Sequence, residues 1–135
     1  KKASGFITAG IDEYTHRLVK PFDVKFEYYE EEKLNKFLES WPFTGNDYVI
    51  LLDERGKNIT SPELSKKLQD CFIQSKNPII IIGGAYGVTQ EVRNKANFVW
   101  SVSNLVFPHE LMRVLLSEQL YRAQSIANGS KYHHE

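Results

Sequence analysis

The sequence is poor in cysteine, has no net charge and lacks long apolar runs, and each of these absences excludes a class of protein. Its 135 residues include a single cysteine, Cys71, so no disulfide can form within the chain, which fits a reducing compartment such as the cytoplasm. Seventeen Lys and Arg balance seventeen Asp and Glu, and this zero net charge excludes a histone-like polycation and an acidic disordered tail. No apolar run approaches the ~20 residues that span a bilayer, so we expect no membrane segment. The sequence therefore predicts one cytoplasmic domain over residues 1–135.

Potential metal ligands are also scarce. The four histidines and Cys71 match no zinc-ligand spacing. His133 and His134 are adjacent, so in a helix or a strand their side chains would point in different directions. We therefore expect no metal site.

Helix-like and strand-like segments alternate along the chain. Spacing of apolar residues predicts helices over 6–18, 30–40, 61–74, 90–95 and 108–127, and strands over 23–29, 48–52, 79–82 and 98–102. Ser61 is the expected hydroxyl cap of the third helix, with Pro62 at its first position. This alternation is typical of an α/β fold with a mostly parallel sheet and flanking helices.

Three loops follow the apolar strands, at residues 53–57, 83–87 and 103–107. Ligands of parallel sheets bind beyond the carboxyl ends of the strands, so these loops are expected to line one cleft. The glycine loop, Gly83-Gly84-Ala85-Tyr86-Gly87, lacks the spacing of a dinucleotide fingerprint and of a P-loop. Two interpretations stay open for it: a tight turn in which glycines supply positive φ, or a close backbone contact with a flat ligand such as an adenine nucleoside.

The last predicted helix is apolar around most of its circumference, which indicates burial. Either the rest of one subunit buries it, or a second subunit covers the side away from the sheet. Arg113 and Arg122 on this helix need partners, for which Glu110 and Glu118 are the candidates. The tail over 131–135 is either the stub of an affinity tag or part of an active site.

Six motifs in order resemble the RlmH family of the SPOUT superfamily, over most of the chain from Tyr14 onward. They are Asp53-x-x-Gly56-Lys57, Ile82-Gly83-Gly84-x-x-Gly87, Ser101-x-Ser103, Phe107-Pro108-His109, Glu118-x-Leu120-Tyr121-Arg122-Ala123 and Tyr132-His133-x-Glu135. The tail is native in this interpretation.

The resemblance implies a methyltransferase that uses S-adenosylmethionine and acts on N3 of a pseudouridine in 23S ribosomal RNA. It also implies a homodimer and a deep trefoil knot near the C-terminus, a rare exception to the rule against threaded loops. The implied cofactor contacts are Leu52, Gly83, Val102, Ser103, Asn104, Leu105, Val106 and Phe107. They lie in or next to the three loops that the strand ends single out.

The candidate catalytic residues are His109, Arg122, Tyr132 and His133. Pseudouridine N3 is a weak acid and attacks well only as its proton leaves, so a base or a stabilising cation is needed. Histidine is the natural base because its ordinary pKa lies near neutrality. Arg122 suits the role of an electrostatic clamp.

The sequence departs from the family at two points. The family opens with a short strand that would precede Lys1 here, and the segment between Tyr29 and Asp47 is shorter than usual. Zero net charge argues against tight binding of naked RNA and favours the 70S ribosome or its large subunit as substrate. Two alternatives remain: a SPOUT enzyme for another ribosomal or transfer RNA site, and a non-catalytic ribosome-associated nucleotide-binding module.

Overall fold

A three-stranded parallel sheet organises the computed structural model, which describes residues 4–134. The strands are β1 (Asp47–Lys57), β2 (Asn77–Ile82) and β3 (Phe98–Trp100), and they lie in the order β2-β1-β3. The helices are α1 (Gly5–Thr15), α2 (Glu31–Ser40), α3 (Ser61–Ile73), α4 (Gln90–Asn94) and α5 (His109–Ala127). The α/β fold, the parallel sheet and the flanking helices are confirmed.

Alternate residues of the central strand enter two separate cores. Ile50 packs with Leu64, Leu120 and their neighbours from α3 and α5. Val49 and Leu51 pack on the other face with Leu38 of α2 and Val92 of α4. Because successive side chains of a strand point to opposite faces, β1 is buried on both sides, as its continuous apolar run predicts. Cys71 of α3 is a buried free cysteine.

β1 continues past its apolar run, so the predicted polar loop over 53–57 is wrong. The pairing with β3 shifts register between Leu52 and Lys57, and the Ser101 N–H donates to the Lys57 carbonyl at 3.0 Å. A Cβ on Gly56 would lie 2.5 Å from the Val99 carbonyl oxygen. Only glycine allows this close approach of two backbones, which keeps residues 53–57 extended against β3.

Several predicted boundaries need correction. Residues 23–29 have no regular secondary structure and pair with no strand among the described residues, so the predicted strand there is wrong. α1 ends at Thr15 rather than at residue 18, and Phe6 at its start is 73% exposed. β3 stops at Trp100, two residues earlier than predicted.

The cap of α3 is Thr60, not Ser61. The Thr60 hydroxyl accepts from the Glu63 N–H, and the Glu63 carboxylate accepts from the Thr60 N–H. This reciprocal capping box satisfies two donors that the helix leaves without partners. Ser61 is the first helical residue, so Pro62 occupies the second position.

α5 is only partly buried by its own chain. Leu116, Leu120 and Ala123 are buried against the sheet and α3, whereas Leu111 and Leu115 are half-buried. Polar groups on the inner face are satisfied, since the Gln124 side-chain amide bonds backbone groups of Arg17 and Val19, and the Ser65 hydroxyl donates to the Ala123 carbonyl. No helix within residues 4–134 is long and apolar enough to cross a membrane.

Candidate active site

A cleft of about 780 Å³ opens at the carboxyl ends of the three strands. We call it the strand-end cleft; residues 52–55, 82–87, 100, 102–103, 105–109 and 112 line it. The loop after β2, the segment after β3 and the start of α5 thus meet the end of β1 at one place. The expected convergence of three chain segments on one cleft is therefore observed.

Most of the expected cofactor residues line this cleft. Leu52, Gly83, Val102, Ser103, Leu105, Val106 and Phe107 do so. Asn104 is exposed and is not among the lining residues. The cleft also includes Asp53, from a segment that the sequence singles out, and Met112, which the sequence analysis missed. Met112 lies three residues after His109 on α5, and that helical spacing is the signal that could have found it.

Side-chain hydroxyls hold the segment after β3. The Ser101 hydroxyl donates to the Ser103 carbonyl at 2.8 Å, and the Ser103 hydroxyl accepts from the Leu105 N–H at 3.0 Å. Asn58 donates to the Ser101 carbonyl at 2.8 Å. These bonds turn the chain so that Leu105 and Val106, about 70% exposed, stand at the rim of the cleft. Two exposed apolar side chains at this rim suit contact with a ligand or a partner.

The glycine loop combines a tight turn with close backbone packing. Gly87 has φ +76°, which favours glycine, and its N–H donates to the Gly84 carbonyl at 3.0 Å. A Cβ on Gly83 would lie 3.1 Å from the Gly87 carbonyl carbon. Because the same residues line the strand-end cleft, both interpretations of the loop, as a turn and as a ligand contact, are consistent with its structure.

Asp53 joins the end of β1 to α4 across one side of the cleft. Its carboxylate accepts from Arg55 at 3.0 Å and also pairs with Arg93 of α4. Hydrogen bonds from Arg55 and Arg93 lower the pKa of Asp53 to about 2, against the opposing effect of burial. Asp53 is therefore an anion at neutral pH and holds α4 near the strand end rather than acting as a base.

The other candidate residues meet at the far end of α5. Glu118, Arg122, Tyr132 and His133 form what we call the tail cluster. Arg122 donates to Glu118 at 2.5 and 3.4 Å, and the Tyr132 hydroxyl donates to Glu118 at 2.9 Å. The pairing of Arg122 with Glu118, which the sequence suggests, is confirmed. Arg113 instead lies over the ring of Tyr28, 4.7 Å from its centroid.

Hydrogen bonds to Glu118 and a contact with His133 hold Arg122 and Tyr132 in the tail cluster. Arg122 Nη1 lies 2.9 Å from His133 Nδ1, and because a guanidinium only donates, Nδ1 is the acceptor in this contact. Burial and the bond to Glu118 raise the pKa of Tyr132 to about 12, so the phenol stays protonated at neutral pH. The bond to Glu118 likewise raises the pKa of Arg122, which keeps this cation in place.

Comparison with known protein families identifies the family of this chain. A family model described as a predicted SPOUT methyltransferase matches residues 1–133. The chain belongs to the SPOUT methyltransferase family. Within that family, its resemblance to RlmH is confirmed by relatives with that name.

Three relatives, each called ribosomal RNA large subunit methyltransferase H, show how far the similarity extends. The relative from Methylobacillus flagellatus is 32% identical over 99% of this chain and 94% of its own length. The relative from Psychrobacter cryohalolentis is 39% identical over 87% of this chain and 72% of its own. The relative from Desulfitobacterium hafniense is 49% identical, but over 64% of this chain and 55% of its own length.

A SPOUT methyltransferase needs a methyl donor, and the strand-end cleft is suited to hold one. A volume of about 780 Å³ is within the range of pockets that bind small molecules. Glycines of the loop after β2 and apolar side chains of the other segments line it.

The predicted catalytic residues lie at both ends of α5 in this SPOUT methyltransferase. His109, the first residue of the helix, lines the strand-end cleft. Arg122 lies thirteen residues further along the same helix, which corresponds to a rise of roughly 20 Å. Tyr132 and His133 join Arg122 rather than His109. One copy of the chain therefore does not bring the four residues together.

Proposed function

We propose that the chain transfers a methyl group from S-adenosylmethionine to N3 of a pseudouridine in 23S ribosomal RNA of the assembled ribosome. The convergence of three strand-end segments on one cleft, in a chain of the SPOUT family, is the observation that carries the proposal. The names of the relatives support large-subunit ribosomal RNA as the substrate class. A cytoplasmic location follows from that substrate.

Backbone groups would hold the cofactor in the strand-end cleft. Leu52, Gly83 and residues 102–107 are the proposed contacts, and all of them except Asn104 line the cleft. When bound, S-adenosylmethionine supplies a methyl group on a sulfonium. As part of the same proposal, we expect the segments around this cleft to form the trefoil knot of SPOUT enzymes.

The chain's own residues would align and activate the nucleophile. The N3–C bond forms as the C–S bond breaks in line with it, so the two reactants must be held in one orientation. His109 lies at the cleft and would accept the N3 proton. Arg122 would stabilise the negative charge that develops on the base as the proton leaves, with Tyr132 and His133 holding its guanidinium.

These roles require a homodimer in which the tail cluster of one copy approaches the strand-end cleft of the other. The separation of roughly 20 Å along α5 supports this arrangement, because no rotation of a side chain covers that distance. The half-buried apolar side chains of α5, such as Leu111 and Leu115, offer a surface that a second copy would cover. Two equivalent sites would result from the twofold symmetry.

The test uses tritiated S-adenosylmethionine with ribosomes from cells that lack the endogenous enzyme. Intact 70S ribosomes, isolated large subunits, free ribosomal RNA and transfer RNA are compared. We expect label in large-subunit RNA of assembled particles, at a pseudouridine. Label in transfer RNA would favour another SPOUT specificity. Cofactor binding with no label in any RNA would contradict the enzyme and favour a binding module.

A further inference from the structure

α2 presents three polar side chains to the glycine loop. Glu31, Asn35 and Glu39 follow one another at intervals of four residues, which places them on one face of the helix. We call this set the α2 polar stripe. The loop and the start of α4 lie against it, and each of the three side chains makes a hydrogen bond there.

The bonds from the stripe act mainly on backbone groups. The Tyr86 N–H donates to the Glu31 carboxylate at 3.0 Å, and the Thr89 N–H donates to the Asn35 side-chain oxygen at 2.9 Å. The Thr89 hydroxyl donates to Glu39 at 2.8 Å. An N–H in a loop lacks the regular partner that a helix or strand supplies, so these acceptors fix the path of the loop between residues 86 and 89.

Glu31 also packs directly against the glycine loop. A Cβ on Gly84 would lie 2.7 Å from the Glu31 carboxylate. Gly84 and Tyr86 both line the strand-end cleft. The residues that contact Glu31 are thus residues that line the cleft, although Glu31 itself is not among the lining residues.

A second link holds α2 and α4 at a fixed spacing. The Lys95 ammonium, just after α4, donates to the carbonyls of Leu38 and Glu39 at 2.9 and 2.5 Å. Thr89, which bonds the stripe, also caps α4 by accepting from the Val92 N–H. α2, the glycine loop and α4 are therefore connected as one unit beside the cleft.

We propose that Glu31 and Asn35 are positioning residues that hold the glycine loop in the shape that binds the cofactor. This inference rests on the proposed function, because it concerns the same cleft. A loop that is ordered before binding loses less conformational freedom when the ligand arrives. The stripe should therefore set the affinity for the cofactor and leave the chemical step unchanged once the cofactor is saturating.

The experiment compares Glu31→Ala with Glu31→Gln, Asn35→Ala and the control Glu32→Ala. Glu32 is the matched control because it is the other acidic residue in the first turn of α2, and it is exposed. Binding of S-adenosylhomocysteine is measured by calorimetry, and KM and kcat are measured on ribosomes. We expect Glu31→Ala to weaken binding and raise KM about tenfold with kcat unchanged. Asn35→Ala should act in the same direction.

The conservative variant separates positioning from mere stability. The glutamine oxygen in Glu31→Gln still accepts from the Tyr86 N–H, so its affinity should lie closer to that of the unmodified chain than to that of Glu31→Ala. Thermal unfolding midpoints should stay close together across the set. Equal affinity for Glu31→Ala and the unmodified chain would overturn the inference, as would the same loss in Glu32→Ala. Failure of the unmodified chain to bind would instead contradict the proposed function.

Discussion

The strand-end cleft and the tail cluster, at opposite ends of α5, are built in different ways. The cleft is lined by loop backbone, glycines and apolar side chains, and hydroxyls and carboxylates behind it hold the loops. The tail cluster is a group of charged and aromatic side chains bonded to one another. A site lined by backbone is sensitive to substitutions that add side-chain volume or disfavour the φ angle a residue must adopt. A cluster of bonded side chains is instead sensitive to the removal of any one of them.

The largest effect is expected from Arg122→Ala. Removing the cation should lower kcat about 100-fold, since preorganised charge at the reacting atoms contributes on this scale. Affinity for S-adenosylhomocysteine should change much less than kcat, because Arg122 is proposed to act on the base rather than to contact the cofactor. Steady-state kinetics on ribosomes and calorimetry provide the two readouts.

Lys66→Ala is the control for a lost surface cation, since Lys66 of α3 is exposed and pairs with Asp70. Its kinetics should match those of the unmodified chain. A loss of cofactor affinity as large as the loss of kcat in Arg122→Ala would contradict the assignment of Arg122 to the base.

Two glycines with similar positive φ angles, one at the cleft and one before the tail, allow the same comparison with smaller expected effects. Gly87 has φ +76° in the cleft, and Gly129 has φ +71° just before the tail. Alanine at either position costs about 1 kcal/mol in backbone strain. Gly87→Ala should weaken cofactor binding about fivefold, and Gly129→Ala should lower kcat with binding unchanged. The same change in both variants, measured by calorimetry and kinetics, would contradict the comparison.

Asp53, at the cleft, should make the free energy of unfolding depend on pH in the acidic range. Its pKa is about 2 in the folded chain, below the ordinary 3.8. A lowered pKa means that its contribution to stability is present above about pH 4 and is lost as the pH falls toward 2. The difference in unfolding free energy between the unmodified chain and Asp53→Asn should shrink over that window. A difference that grows on acidification would show that the Arg55 and Arg93 contacts do not form.

Tyr132, in the tail cluster, should make the free energy of unfolding fall as the pH rises in the alkaline range. Its pKa is raised to about 12 from the ordinary 10.0. A raised pKa means that its contribution to stability is present below about pH 10 and is lost as the pH rises toward 12. Tyr132→Phe should remove this alkaline dependence and lower kcat about threefold, the scale of one hydrogen bond. The ultraviolet difference titration against the unmodified chain measures the phenol; a midpoint near 10 would contradict its burial.

Strands could be predicted reliably from the sequence where both faces of the strand are buried, and less well elsewhere. The apolar run from Tyr48 to Leu52 marks β1 because both of its faces are buried. The alternating segment 23–29 resembles a strand equally well, but alternation reports only a half-buried face and not whether a neighbour exists. The extension of β1 depends on the contact of Gly56 with Val99, which no local pattern reveals.

The chain segments that form the cleft could be predicted from the sequence, but the spatial arrangement of their side chains could not. The rule for parallel sheets identifies the strand-end cleft, because strand direction alone decides where loops meet. The capping box at Thr60 and Glu63 was readable from spacing, yet the adjacent Ser61 offered an equivalent hydroxyl. The grouping of Tyr132 and His133 with Arg122 depends on how the chain turns back after α5, which the sequence does not show.

The most direct test of the account mixes two inactive variants in one dimer. Arg122→Ala removes the tail cluster's cation, and Gly83→Val forces a branched side chain against Gly87 and so distorts the loop that lines the strand-end cleft. If one copy's tail cluster completes the other copy's cleft, a dimer of the two variants retains one intact site. The co-expressed mixture should then recover roughly a quarter of the unmodified activity by statistical pairing, and mixed dimers purified through two different affinity tags should recover roughly half. Purified mixed dimers as inactive as either parent would contradict the account.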